Sequence, residues 1–261
     1  VQRDEGALVP SGQVDAVDEP LSPLPERGYV YRTAWKLLTG DIDSNLCARL
    51  DGVARYIQEV GAEHLYDAGF AELHPHWIVQ RTVIDVIEPI EWPSDIAFQR
   101  WAAGISTRWC AMRVRLDGSE GGRIETEGFW INMNKDTLTP SLVSDALFER
   151  FATTTENTRI KWRPWLPGPA SSDAVTPFAL RHTDIDHFRH VNNTVYWHAV
   201  HEMLALYSDV VGARYRAVVE YRKPIALGEA VDLHSAVQGG NVRFWFVVDG
   251  DVRAAGLLRN L

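Results

Sequence analysis

Cysteine is scarce: Cys47 and Cys110 are the only two in 261 residues. Two free thiols are too few for a disulfide framework and suit a reducing compartment, so a cytoplasmic location is the expectation. No apolar run approaches the roughly 20 residues that a membrane-spanning helix needs. Basic residues are outnumbered, 26 Lys plus Arg against 35 Asp plus Glu, for a formal charge of −9. That balance argues against nucleic acid as a partner, because phosphates have to be neutralised. It leaves room for a local basic patch facing an acidic protein. The first 28 residues are rich in Asp, Glu and Pro and lack the basic or apolar character of a signal or transit peptide. What is present, 46% hydrophobic and 23% charged residues, fits a globular fold better than a disordered chain.

Residues 1–28, closing on Pro20-Leu21-Ser22-Pro23-Leu24-Pro25, show no periodicity and are expected to form a flexible lead-in. Tyr29 to Leu38 reads as a strand. Leu50 to about Ala68 reads as a helix, with Val53, Ala54, Ile57, Val60, Gly61, Leu65 and Ala68 at helical spacing. His74 to Asn132 reads as a series of strands rich in Trp and β-branched residues, and Asp117-Gly118-Ser119-Glu120-Gly121-Gly122 signals a hairpin turn. From Thr176 the same order returns: strand, polar loop opening on Asp-x-Asp, helix, strands. Asp41-Ile42-Asp43 corresponds to Asp184-Ile185-Asp186, and Glu88-Pro89-Ile90 to Lys223-Pro224-Ile225. The second helix spans about Asn193 to Tyr207, with Tyr196, Val200, Met203, Leu204 and Tyr207 on one apolar stripe.

This repeat predicts an α+β fold in which each half is an antiparallel sheet wrapped around a central helix. The expected divisions are a first repeat over 29–152, a linker over 153–177 containing Pro167-Gly168-Pro169, and a second repeat over 178–261. An open sheet edge in each half predicts that the halves pair edge to edge within the chain.

The densest polar cluster is Asp184-Ile185-Asp186-His187-Phe188-Arg189-His190-Val191-Asn192-Asn193, followed by Tyr196. It resembles the signature of the hot-dog thioesterases. Among them the plant and bacterial acyl-acyl carrier protein thioesterases are the most similar, because the likeness runs through both halves, from about 29 to 261. The first half contributes Tyr56-Ile57-Gln58-Glu59-Val60-Gly61-Ala62-Glu63-His64, then Trp77, Arg81, Trp92, Trp101, Gly104, Trp109, Arg113 and Trp130. The second contributes Glu220-Tyr221-Arg222-Lys223. The resemblance implies a tandem double hot-dog fold, hydrolysis of fatty acyl-acyl carrier protein in fatty acid biosynthesis, no cofactor or metal, no membrane partner, and a monomer or homodimer.

Thioester hydrolysis needs a donor to polarise the carbonyl and a carboxylate or base for the water, while the thiolate departs readily. By family position Asp186 is the base or nucleophile and His190 orients it or shares the proton. Amides at the start of the second helix, near Asn192 to Val195, offer the donor. Asn192 and Asn193 belong to the site, although helix capping also explains at least one of them. Tyr196, Phe188, Trp77 and Trp101 are the expected substrate contacts, with the first half lining an acyl channel. Asp184 reads as a local backbone binder, His187 as solvent-facing and Glu202 as a helix-surface residue.

Two departures matter. Plant-type members carry Asn where this chain has Phe188, and Glu-Cys where it has Pro224-Ile225. A cysteine nucleophile is therefore unsupported, Asp-directed attack of water is preferred, and acyl-CoA becomes a competing substrate. A non-catalytic acyl-binding protein is the third alternative. Arg159, Lys161, Arg163, Arg181, Arg189, Arg222 and Lys223 are candidates for meeting an acidic carrier. The first-half loop, Asp41 to Cys47, lacks the His-Val-Asn-Asn run, so one functional site per chain is expected.

Overall fold

The computed structural model describes residues 16–168 and 172–261. Pro169 of the expected linker and residues 1–15 of the expected lead-in lie outside them. Ten strands form a single sheet in the order β1-β3-β4-β5-β2-β7-β10-β9-β8-β6. The first five are β1 (Tyr31–Lys36), β2 (His76–Glu88), β3 (Asp95–Ile105), β4 (Trp109–Gly118) and β5 (Arg123–Met133). The second five are β6 (Ala174–Phe178), β7 (Tyr215–Tyr221), β8 (Val231–Gln238), β9 (Asn241–Val248) and β10 (Asp251–Asn260). Replacing each strand of one half by its counterpart five later reverses the order about the β2–β7 seam, as the sequence repeat predicts. All pairings are antiparallel, and at the seam Arg81 faces Glu220 and Asp85 faces Arg216.

Two long helices fill the concave side. α1 (Leu50–Asp67) buries Val53, Ala54, Ile57 and Val60, and α3 (Tyr196–Leu206) buries Tyr196, Trp197, Ala199, Val200 and Met203. Both stripes join one core with inward residues of both half-sheets, including Phe98, Leu116, Phe244 and Phe246. The start of α1 meets the middle of α3, where the Leu50 N–H donates to His201 Nε2 at 2.7 Å. α2 (Asp145–Ala152), capped by Ser144, buries Leu147 and Phe151 over the β3–β4 end of the sheet. At eight residues it is too short to announce itself by periodicity. No helix among the described residues is long and apolar enough to cross a membrane.

The hairpin forms at Asp117 to Gly122, with Gly121 and Gly122 at φ +108° and +85°. A Cβ on Gly122 would strike the Pro89 carbonyl. The convex side is covered by chain rather than helix. Arg216 Nη1 donates to the Val17 and Glu19 carbonyls at 2.6 and 2.7 Å, and Val17 is buried. The flexible lead-in expected for residues 1–28 is thus tied to the sheet over its described part. Apart from an ion pair of Asp18 with Arg259, these ties run through backbone carbonyls, which a Pro- and acid-rich composition does not reveal. The crossover is fixed in the same way: Glu220 accepts from the Trp165 and Leu166 amides at 2.7 and 3.1 Å, and Trp245 Nε1 donates to the Pro167 carbonyl. β6 starts at Ala174, two residues before the strand expected from Thr176 and so within the span expected as linker, and pairs with β8 as an edge strand, a position that tolerates Pro177.

Candidate active site

Asp186 sits in a tight loop closed by backbone bonds from Asp186 N to the His190 carbonyl (2.8 Å) and from Arg189 N to the Asp186 carbonyl (3.0 Å). Arg189, at φ 64°, makes the turn. The Asp186 carboxylate stabilises it, Oδ1 accepting from the Phe188 amide at 2.8 Å and the His190 amide at 3.2 Å. Its second oxygen makes no hydrogen bond among the described residues.

The first repeat contains the same loop. Asp43 Oδ1 accepts from the Asn45 and Cys47 amides at 2.8 and 2.9 Å, and Leu46 has φ 63°. Arg49 N donates to the Asp41 carbonyl as Asn192 N does to that of Asp184, and Ala48 N to Ile90 as Val191 N to Ile225. The Asp-x-Asp correspondence is therefore a correspondence of hydrogen bonds. Asp184 serves structure: it is buried, accepts from the Arg181 amide at 2.8 Å and pairs with the Arg181 guanidinium at 2.9 Å.

What differs between the copies is the space beside them. The Asp186 loop opens on a cavity of about 680 Å³, whereas Asp43 is not among its walls. Asp186, Phe188, His190, Asn192, Asn193 and Tyr196 all line the cavity, with Trp77 from β2. Its far side belongs to the first half, where Gln58, Gly61 and Leu65 of α1, Met112 of β4 and Trp130 of β5 form mostly apolar wall. Trp101 is a correction: it is not part of this lining. On β3 the inward positions are Phe98, Arg100 and Ala102, so Trp101 faces the convex side, buried with the Arg113 guanidinium 5.1 Å from its ring.

The helix begins later than expected, at Tyr196 rather than near Asn193. Most of the amides expected to offer a donor are consequently occupied. Asn192 N donates to the Asp184 carbonyl (2.8 Å) and Val195 N to the Asn192 carbonyl (2.9 Å), while Thr194 N is held by Asn192 Oδ1 (2.9 Å). Asn192 thus holds the turn that leads into the helix, accepting from both the Thr194 amide and hydroxyl, while the helix's own N-cap, Val195, has no side-chain cap. The Asn193 N–H makes no hydrogen bond among the described residues, and neither does its side chain.

Tyr221, inside the Glu220–Lys223 segment but unassigned from sequence, donates to the Asn193 carbonyl at 3.3 Å and accepts from Trp197 Nε1 at 3.2 Å. Its ring stands edge-on to that of Tyr196 at 5.1 Å. Burial, foremost, raises both phenols above the ordinary tyrosine range, so both remain neutral. His76 also escaped the sequence reading; it lines the cavity and meets the Phe188 ring edge-on at 5.5 Å. His187 is exposed at the rim and Glu202 is exposed on α3. Of the seven basic candidates only Arg222 and Lys223 reach the cavity; Arg222 donates to the Leu166 carbonyl and Lys223 pairs with Asp251 at 2.7 Å.

Comparison with known proteins gives a consistent result. Residues 28–151 match the model of the acyl-ACP thioesterase N-terminal domain, and residues 169–251 that of the C-terminal domain. An uncharacterised protein from Mycobacterium tuberculosis is 63% identical over 94% of this chain and 98% of its own length. An oleoyl-acyl carrier protein thioesterase from Arabidopsis thaliana is 26% identical over 89% of this chain and 70% of its own. Among solved structures, an acyl-ACP thioesterase from Bacteroides thetaiotaomicron superposes with a TM-score of 0.73 at 15% identity, covering 88% of this chain and 97% of that one. The 12:0-ACP thioesterase from Umbellularia californica gives 0.69 at 16%, covering 89% and 97%.

Proposed function

This chain belongs to the acyl-ACP thioesterase family, a family of thioester hydrolases, and we propose that it releases free fatty acid from acyl carrier protein by carboxylate-directed attack of water. The observation that carries the reading is the Asp186 carboxylate. One oxygen is fixed by two amides, the other makes no hydrogen bond among the described residues, and Asp186 lines a mostly apolar cavity together with His190 and Asn193, whose N–H is unpaired among those residues. A water held by the free oxygen gives up a proton to it while attacking the thioester carbon. The Asn193 N–H steadies the charge developing on the carbonyl oxygen, a contribution of roughly 2.7–4 kcal/mol for one such donor. Collapse of the tetrahedral adduct expels the thiolate, which recovers the proton with His190 as its carrier.

The first half supplies the acyl channel, and the carrier approaches the rim where Arg189 is exposed with no side-chain partner among the described residues. Phe188, packed on His76 at that rim, favours acyl-CoA as the second reading. Comparing kcat/KM on one acyl group carried by acyl carrier protein and by CoA separates them. A higher value on the carrier protein, reduced by Arg189→Glu through KM alone, is the expected result. A higher value on CoA, indifferent to that substitution, would install the second reading, and tight acyl binding with no hydrolysis of either would remove both.

A further inference from the structure

Among the described residues four arginines are buried: Arg81, Arg100, Arg113 and Arg216. Three have a carboxylate partner, in Glu220, Glu125 and Asp85 respectively. Arg100 has none among the described residues. It is 7% exposed, on the inward side of β3, and lines the same cavity as Asp186. Nη1 donates to His64 Nδ1 at 2.7 Å; Nε and Nη2 make no hydrogen bond among the described residues. Its guanidinium lies against Gly61 of α1, where a Cβ would stand 3.6 Å from Nη2.

His64 cannot balance that charge. It is fully buried among the rings of Tyr29, Tyr31 and Phe151. Burial, then the charges of Arg100 and Arg150, push it down to about 2, so it is a neutral acceptor. The result is a cation with spare donors set into a cavity that is otherwise suited to hydrocarbon. A plain alkyl tail packed there would displace the water those donors need and return no acceptor.

We propose that Arg100 is a specificity determinant for acyl chains that carry a hydrogen-bond-accepting oxygen, as a hydroxyl, oxo or terminal carboxylate group, at the depth of the guanidinium. This rests on the thioesterase reading for its link to turnover, but not for binding. The test uses thioesters of equal chain length: unsubstituted, hydroxylated at successive positions, and ending in carboxylate. Wild-type protein should show kcat/KM at least about tenfold higher for one oxygenated chain than for the unsubstituted one, and which one distinguishes a neutral from an anionic ligand. Arg100→Met should abolish that ratio, the value for the oxygenated chain falling to that for the unsubstituted one measured on the same variant. Calorimetric titration of the wild-type protein with the corresponding free acids needs neither a variant nor turnover and should rank them in the same order. If no thioester is hydrolysed but the oxygenated acids bind more tightly, the hydrolase reading falls and the subsite stands. If unsubstituted thioesters are hydrolysed and neither assay discriminates, the subsite falls alone.

Discussion

Asp43 and Asp186 perform the same structural task, each accepting two loop amides through one oxygen, yet of the two it is Asp186 that lines the cavity of about 680 Å³. Substitution separates the structural role from the chemical one. Asp43→Ala removes an acceptor from two amides and should cost about 1–3 kcal/mol of stability, read as a lower midpoint in urea, with kcat unchanged. Asp186→Ala should show a similar stability loss together with loss of turnover. A fall in kcat for Asp43→Ala equal to that for Asp186→Ala would mean that the loop, not the free carboxylate oxygen, matters. From sequence the two aspartates were distinguished only by the His-Val-Asn-Asn run that follows the second. That run marks the loop that lines the cavity but not the task of each member: the Asn192 side chain is occupied in the turn at Thr194, and Tyr221 holds the Asn193 carbonyl from a strand far along the chain.

The elements that carry the site are strands and helices whose periodicity is plain, so α1, the β2–β5 series and the second helix were legible within a few residues. The misplacement of Trp101 arose at this scale, because naming a strand residue does not say which face it takes until the register is known. The seam between the halves was legible only as an expectation of edge pairing. Its contents are two buried cross-strand ion pairs, Arg216 with Asp85 at 2.7 Å and Arg81 with Glu220 at 3.2 Å. Removing one partner leaves the other charged and unpaired, so Asp85→Ala should destabilise the protein by roughly 3–5 kcal/mol. Chemical denaturation would read this directly, and a cost below about 1 kcal/mol would show that water reaches the seam. Gly256 illustrates a constraint that no periodicity reveals: it pairs across from Phe244, whose ring would lie 1.9 Å from an added Cβ. Gly256→Ala should therefore lower stability by about 1–3 kcal/mol through displacement of that ring; an unchanged melting temperature would contradict the packing.

At the scale of the whole molecule the folded chain keeps several histidines neutral. Burial, with the Arg100 and Arg150 charges, holds His64 down at about 2, and burial foremost lowers His74 and His201. Each ordinarily titrates near ~6.5, so below that pH the unfolded chain takes protons that the folded chain refuses. Their contribution to stability is whole above ~6.5 and is lost as pH falls toward the folded values. The melting temperature should drop between pH ~7.5 and ~5.5, and His201→Gln, which keeps an acceptor for the Leu50 amide, should make that drop shallower. A flat profile in the wild type would contradict the neutral assignment.

The central claim, that the free oxygen of Asp186 directs water onto a thioester, is tested most directly by kcat of Asp186→Asn on a long-chain acyl thioester, with the melting temperature recorded on the same sample. The amide keeps an acceptor for the Phe188 and His190 N–H groups while removing the base. A fall of at least about a hundredfold with the melting temperature unmoved is the predicted outcome. Turnover close to that of the wild type, in a variant that melts normally, would contradict it.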